Sequence, residues 1–168
     1  GYAYGAEFFI NKTKGRWTGW LAYTLAWTYR NFDQLNGGER YFAKYDQRHN
    51  ISFTTTYELN KKWTVSTVFV FGSGNRVTLP TSLYTIGNQV YQEYSKLNNY
   101  SLPPYHRLDL AAIYTPKPNS TKKVKGSWTF SIYNVYSRQN PYLVYLDVKG
   151  GIGSAGGVDI KVKQVSIC

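Results

Sequence analysis

Both histidines of the chain lie near an aspartate, a pairing that general acid–base catalysis uses. Asp46 precedes His49, and Asp109 follows His106. Both histidines, however, occupy the same relative position, at the start of a strand that follows a long loop. A repeated position favours a geometric role, in which an amphipathic ring marks the boundary between apolar and polar surroundings. We therefore predict that the protein is not an enzyme.

The sequence also predicts no metal ion and no other cofactor. His49 and His106 fall on predicted strands that are not neighbours, and no carboxylate cluster accompanies them. The single cysteine, Cys168, excludes an internal disulfide and a thiolate cluster. The glycine-rich segments 36–38 and 150–157 lack the following helix that a phosphate-binding loop requires.

Strands must position these residues, because apolar and polar side chains alternate with a period of two. In the strand that contains His106, Leu108 and Leu110 take one face while Arg107 and Asp109 take the other. We predict an all-β antiparallel fold. The predicted strands cover residues 2–11, 16–30, 49–59, 63–71, 106–114, 127–136 and 158–168.

The connections between these strands alternate in length, which indicates a transmembrane β-barrel. Tight turns at 12–15 and 60–62 and a basic connection at 116–125 alternate with the longer segments 31–48, 75–104 and 150–157. Outer-membrane barrels sort their loops in this way, with the short turns on the periplasmic side. Seven strands cannot close such a barrel, because closure requires an even number. The chain is therefore expected to form an arc of a larger barrel.

Composition agrees with this interpretation. Tyrosine and tryptophan, with 17 and 5 copies, favour membrane–water interfaces, and no apolar run is long enough for a transmembrane helix. The formal charge of +11 could indicate nucleic acid, but no nucleic-acid motif is present. The lysines instead gather in the short turns, which suits anionic groups at a membrane surface or simply solvated turns. They are Lys12, Lys14, Lys61, Lys62 and the group from Lys117 to Lys125.

Three segments resemble conserved-looking motifs of one transporter family in order and spacing. They are YDQRHNI at 45–51, LPPYHRLDL at 102–110 and YNVYSRQNPY at 133–142. The family is the SusC/RagA-like branch of TonB-dependent outer-membrane receptors, found in Bacteroidota, whose segments read YDxRHxL, PPYHRLDL and YNvynrxNPY. The resemblance covers nearly the whole chain.

The resemblance implies that residues 1–168 are the C-terminal part of a 22-stranded barrel. The plug domain would be absent, and the final strand would be truncated at Cys168. The parent would import oligosaccharides or oligopeptides across the bacterial outer membrane with energy from TonB. Expected partners are outer-membrane lipid, the rest of the barrel and its plug, TonB and a SusD-like lipoprotein.

The candidate site residues fall into two groups. Candidate contacts to the lumen or to a ligand are Trp20, Glu58, Tyr84, Tyr91, Tyr94, Arg107 and Asp109. Residues expected to mark the outer membrane interface are His49, Tyr105 and His106. The polar residues could equally form a wall of cross-strand pairs that touches no ligand.

Two other functions remain open at this stage. One is a small closed outer-membrane barrel without TonB coupling, which would need one further strand. The other is a soluble, aromatic-rich β-sheet binding module. Extraction separates the classes, because a barrel requires detergent and a soluble module does not.

Overall fold

The computed structural model describes residues 1–86, 89–94, 96–119, 121, 126–148 and 158–165. These residues are all-β and their strands pair antiparallel, as predicted. The described part contains one short 3₁₀ turn, Asn36–Gly38, and no helix long and apolar enough to cross a membrane. The strands are β1 (Tyr2–Lys12), β2 (Trp17–Arg30), β3 (Tyr41–Phe42), β4 (His49–Glu58), β5 (Trp63–Gly72), β6 (Arg76–Val77), β7 (Ser82–Ile86), β8 (Gln89–Glu93), β9 (Tyr100–Ser101), β10 (Tyr105–Tyr114), β11 (Trp128–Ile132), β12 (Asn140–Val148) and β13 (Val158–Val165).

The main sheet is an antiparallel meander. Its long strands lie in the order β1-β2-β4-β5-β10-β11, and the short strand β3 adds to the end of β2. The first five predicted strands are confirmed, with bounds that differ by one residue at most. Each long strand therefore lies beside the next long strand in the chain. The backbone hydrogen bonds of the sheet form between these consecutive strands.

The prediction for the sixth strand, 127–136, was wrong at its end. β11 stops at Ile132, because the backbone then enters a turn in which Asn134 and Ser137 have positive φ values of 52° and 50°. The Ser137 N–H donates to the Asn134 carbonyl at 2.7 Å and closes this turn. Alternation alone gives no signal for such a reversal of φ.

The strand after the turn, β12, was not predicted. It forms a hairpin with β13, which confirms the start of the seventh predicted strand at Val158; residues 166–168 lie outside the described part. From β11 to β12 the chain runs alongside β10 without reversing its direction. Ile132 pairs with Leu110, the Val135 N–H donates to the Leu108 carbonyl, and the Asn140 side chain bonds the His106 backbone. β11 and β12 are thus two pieces of one interrupted traverse.

The long segment 75–104 contains more order than its lack of periodicity suggested. β7 and β8 form a hairpin, and β6 pairs with β9. The glycine-rich segment 150–157 and Lys122, Lys123 and Lys125 lie outside the described residues.

The register joins the apolar positions of all six long strands into one surface, which we call the apolar face. The opposite surface, the polar face, carries mainly hydroxyl and small side chains, with Phe9, Trp20, Val68 and Val70 among the exceptions. The middle of the apolar face consists of Ile10, Leu21, Ile51, Phe53, Val65, Phe69, Leu108, Leu110, Ala112, Phe130 and Ile132.

Aromatic rings border the apolar face at both ends. On the side of the short turns, the turn-side row contains one ring from each of five strands: Trp17, Tyr57, Trp63, Tyr114 and Trp128. On the side of the long connections, the loop-side row contains Tyr4, Tyr23, Trp27, Tyr29, His49 and His106.

Neither face is covered by a second layer in the described part of the chain. Ile10 and Ile132, at the two edges of the sheet, are 66% and 61% exposed. The buried hydrophobic residues among those described, Tyr41, Ala43 and Leu79, belong to the long connections. An uncovered apolar surface of this extent normally meets another protein or a membrane.

Candidate functional site

A charged cluster lies on the polar face where β10 begins. Arg107 Nε donates to both carboxylate oxygens of Asp109 at 3.0 Å, and a second guanidinium nitrogen lies 3.0 Å from the same carboxylate. The guanidinium also donates to the hydroxyls of Tyr105 and Tyr133, and its carbon lies 4.0 Å from the centre of the Tyr133 ring. The sequence placed Arg107 and Asp109 on the polar face, and the register confirms this placement.

Asp109 also fixes the turn between β11 and β12. Its carboxylate accepts the Asn134 backbone N–H at 2.9 Å. Asn134 is only 4% exposed, and its side-chain amide bonds both the N–H and the carbonyl of Arg138, at 3.0 and 3.1 Å. Much of the hydrogen-bonding capacity of the cluster is therefore used within the sheet and its turn, while the rings of Tyr105 and Tyr133 remain exposed. A direct contact to ligand stays a prediction.

A second carboxylate, that of Asp46, holds the long connection 31–48 in place. Sequence reasoning missed this role. Asp46 is 2% exposed and accepts the Thr28 backbone N–H at 2.7 Å. It pairs with Arg48 at 3.4 Å and with Arg76 at 3.8 Å. The guanidinium carbon of Arg76 lies 4.1 Å from the centre of the Phe42 ring. One acid thus joins the end of β2 to both long connections.

Further polar contacts hold the two long connections together. The Asn98 side chain donates to the Phe42 carbonyl at 2.7 Å, and the Leu97 N–H donates to the Asn36 side chain at 3.0 Å. Lys96 lies 2.8 Å from Glu39, and this hydrogen bond lowers the pKa of the Glu39 carboxyl. Both partners of that pair are exposed, so its energetic value is small. The two connections are thus joined to each other at the end of the sheet where β2 stops.

The two histidines pair with tyrosines, whereas Asp46 and Asp109, the aspartates near them in the sequence, pair with arginines. His49 Nδ1 lies 2.9 Å from the Tyr23 hydroxyl, and His106 Nδ1 lies 2.7 Å from the Tyr136 hydroxyl. The His106 ring also stacks on Phe71, with centroids 6.4 Å apart. One ring nitrogen of each histidine, Nδ1, therefore has a tyrosine partner at the edge of the apolar face. Their assignment to a membrane interface remains a prediction.

The other predicted site residues are not brought together. Trp20 lies on the polar face toward the short turns, beside Phe9, and Glu58 ends β4 at that same end of the sheet. Glu58 is therefore six positions along the strands from Arg107, whereas Trp20 is level with Asp109 in the register but three strands away from β10. Tyr84 and Tyr91 face each other across the β7–β8 hairpin with centroids 5.9 Å apart, and both are exposed. Tyr94 is also exposed, just after β8.

Comparisons with protein-family models, with curated proteins and with solved structures found no match. Among the described residues, no group of three or more His, Cys, Asp and Glu side chains is placed to hold a metal ion. Any functional proposal therefore rests on the geometry of the sheet and on its two acid–arginine clusters, one around Asp46 and one around Asp109.

Removing the buried carboxylate should loosen the long connections. We expect Asp46→Ala to lower the free energy of unfolding by about 3 kcal/mol, because Arg48 and Arg76 lose their partner. Denaturant unfolding measures the loss, and limited trypsin digestion should cut the connections sooner.

The matched control is Asp33→Ala, which removes an exposed carboxylate from the same connection. It should change the free energy of unfolding by about 0.5 kcal/mol or less. Equal effects of the two substitutions would contradict the organising role of Asp46.

Proposed function

We propose that this chain forms part of the wall of an outer-membrane β-barrel, with its apolar face toward lipid and its polar face toward the lumen. The observation that carries the proposal is the apolar face bordered by an aromatic row at each end. Outer-membrane barrels have this pattern, an outward apolar band between two aromatic girdles. A soluble sheet would instead need a second layer to cover the same surface.

The strand lengths support this proposal. β4, β5 and β10 are each ten residues long, and a tilted strand needs about 9–11 residues to cross the hydrocarbon core. The short connections and the turn-side row share one end of the sheet, and the packed long connections lie at the other end. That asymmetry fits periplasmic turns and outer loops.

We further propose that the barrel is a SusC/RagA-like TonB-dependent transporter that imports oligosaccharides or oligopeptides. The resemblance of segments 45–51, 102–110 and 133–142 supports this choice. Exposed tyrosines on the β7–β8 hairpin also support it, because ring faces can stack on sugars or pack on peptides. The proposed partners are the remaining barrel and plug, TonB, a SusD-like lipoprotein and outer-membrane lipid.

Neighbouring positions on β10 test the orientation of the wall. In a Cys168→Ser background, Leu110→Cys and Ala111→Cys each receive an environment-sensitive fluorophore, and the chain is reconstituted in lipid vesicles. Because Leu110 lies on the apolar face and Ala111 on the polar face, brominated lipid should quench the first label at least about threefold more than the second. Iodide in the water should show the opposite preference.

These two positions are matched in strand and depth, so each controls for the other. Equal iodide quenching of both labels, or a chain that stays in the supernatant without detergent, would contradict the wall and favour a soluble binding module.

Transport requires a separate test. Deleting the coding segment in the bacterium that carries it should abolish growth on at least one oligosaccharide or oligopeptide as sole carbon source. Loss of TonB should abolish the same growth, because the barrel has no other energy supply. Restoring the segment is the control. Growth that depends on the segment but not on TonB would favour a barrel without TonB coupling, and unchanged growth on every substrate would contradict transport.

A further inference from the structure

An apolar groove of about 230 Å³ opens on the apolar face near the short turns. Ile10, Leu21 and Phe53 form its wall toward the middle of the sheet, and Trp17 forms the wall toward the turns. An apolar cavity of about 150 Å³ already suffices to bind a molecule of benzene. The groove therefore has room for a short hydrocarbon segment.

The groove exists because Gly19 leaves its position on the apolar face bare. Gly19 has a φ of 154°, and a Cβ at this position would collide with the backbone carbonyl of Thr54 and lie 2.8 Å from the Thr55 Cα. A side chain at position 19 therefore cannot fill the space between Lys12 and Thr55, which flank Gly19 across the sheet. The other strands that cross this level of the face carry side chains there, such as Thr67 and Leu110.

The walls of the groove are held in place by hydrogen bonds. The Trp17 indole N–H donates to the Thr55 hydroxyl, and that hydroxyl donates to the Thr18 carbonyl at 3.1 Å. The polar atoms of Trp17 and Thr55 are thus satisfied within the sheet. The surface left to an occupant is almost wholly apolar.

A cation lies beside this apolar groove, toward the short turn that follows β1. Lys12 lines the groove, and its ammonium group donates to the Lys14 carbonyl at 2.9 Å. An ammonium group has three donors, so two remain for an anion. Arg16, in the same turn, is already bonded to the carbonyls of Glu58 and Leu59. Lys12 is the cationic residue among those that line the groove.

We propose that this groove is a binding site for an anionic phospholipid, with an acyl segment over Gly19 and the phosphate at Lys12. The proposal rests on the wall function proposed above, which turns the apolar face toward lipid. Charge complementarity selects the occupant, because an apolar slot that ends at a lysine matches the junction between an acyl chain and a phosphate. The Trp17 ring lies at the same level, where amphipathic rings sit at the headgroup boundary.

Native mass spectrometry of the full chain in detergent tests the site. The probes are phosphatidylglycerol, which is anionic, and phosphatidylcholine, which is zwitterionic. We expect one phosphatidylglycerol to stay bound at concentrations that leave phosphatidylcholine free. Lys12→Gln should weaken the retention of phosphatidylglycerol about fivefold, since a lysine near anionic lipid contributes about 1 kcal/mol. Ile10→Trp should weaken the binding of both lipids, because the larger ring fills the groove.

Two matched variants separate the groove from the general surface. Lys62→Gln removes a lysine from the neighbouring short turn, and Ile132→Trp enlarges an equally exposed isoleucine at the other edge of the sheet. Both should change retention less than twofold. Equal losses from Lys12→Gln and Lys62→Gln, or equal retention of the two lipids by the wild-type chain, would overturn the site.

The two proposals fail in different ways. A wild-type chain that enters vesicles but retains no lipid selectively overturns the lipid site and leaves the wall function standing. A chain that dissolves without detergent and does not bind vesicles of either lipid overturns both.

Discussion

The constraint on which this structure depends is the register that joins the strands into one antiparallel ladder. Each hairpin aligns its apolar positions with those of the preceding strand, from Ile10 opposite Leu21 to Ala112 opposite Phe130. Because side chains alternate, a slip of one residue at any hairpin would move a strand's apolar set to the polar face. The ladder satisfies the backbone hydrogen bonds of the strands. It also places the apolar side chains on one surface, which the described residues do not cover. The proposed membrane wall follows from that surface.

Two acid–arginine clusters govern the end of the ladder that carries the long connections. Asp46 pairs with Arg48 just before β4, and Asp109 pairs with Arg107 at the start of β10. In both places the acid also accepts a backbone N–H from another traverse, and a nearby histidine bonds a tyrosine hydroxyl. The same arrangement thus appears at both returns from a long connection into the main sheet that the structure describes, at β4 and at β10. It positions the returning strand, and it gives each histidine and each of these two aspartates a structural partner.

The sequence predicted the parts of the fold that period-two alternation encodes and missed those that depend on distant partners. The five long strands β1, β2, β4, β5 and β10 and the opposite faces of Leu110 and Asp109 were predicted because local pattern determines them. The turn at Asn134 was missed because its positive φ is supported by Asp109, which lies on another strand. The role of Asp46 was missed for the same reason, since Thr28 and Arg76 are remote in sequence. Glu58 and Arg107, both predicted lumen contacts, share the polar face but occupy opposite ends of the ladder, which alternation alone does not reveal.

The central claim is that this ladder crosses a bilayer with its strands tilted. Polarised attenuated-total-reflection infrared spectroscopy of the chain in oriented bilayers measures strand orientation directly, through the dichroism of the amide I and amide II bands. We expect the chain to remain in the bilayers after washing and its strands to tilt on average by about 35–45° from the membrane normal. Strands that show no preferred orientation, that lie parallel to the membrane surface, or that wash away with buffer would contradict this claim.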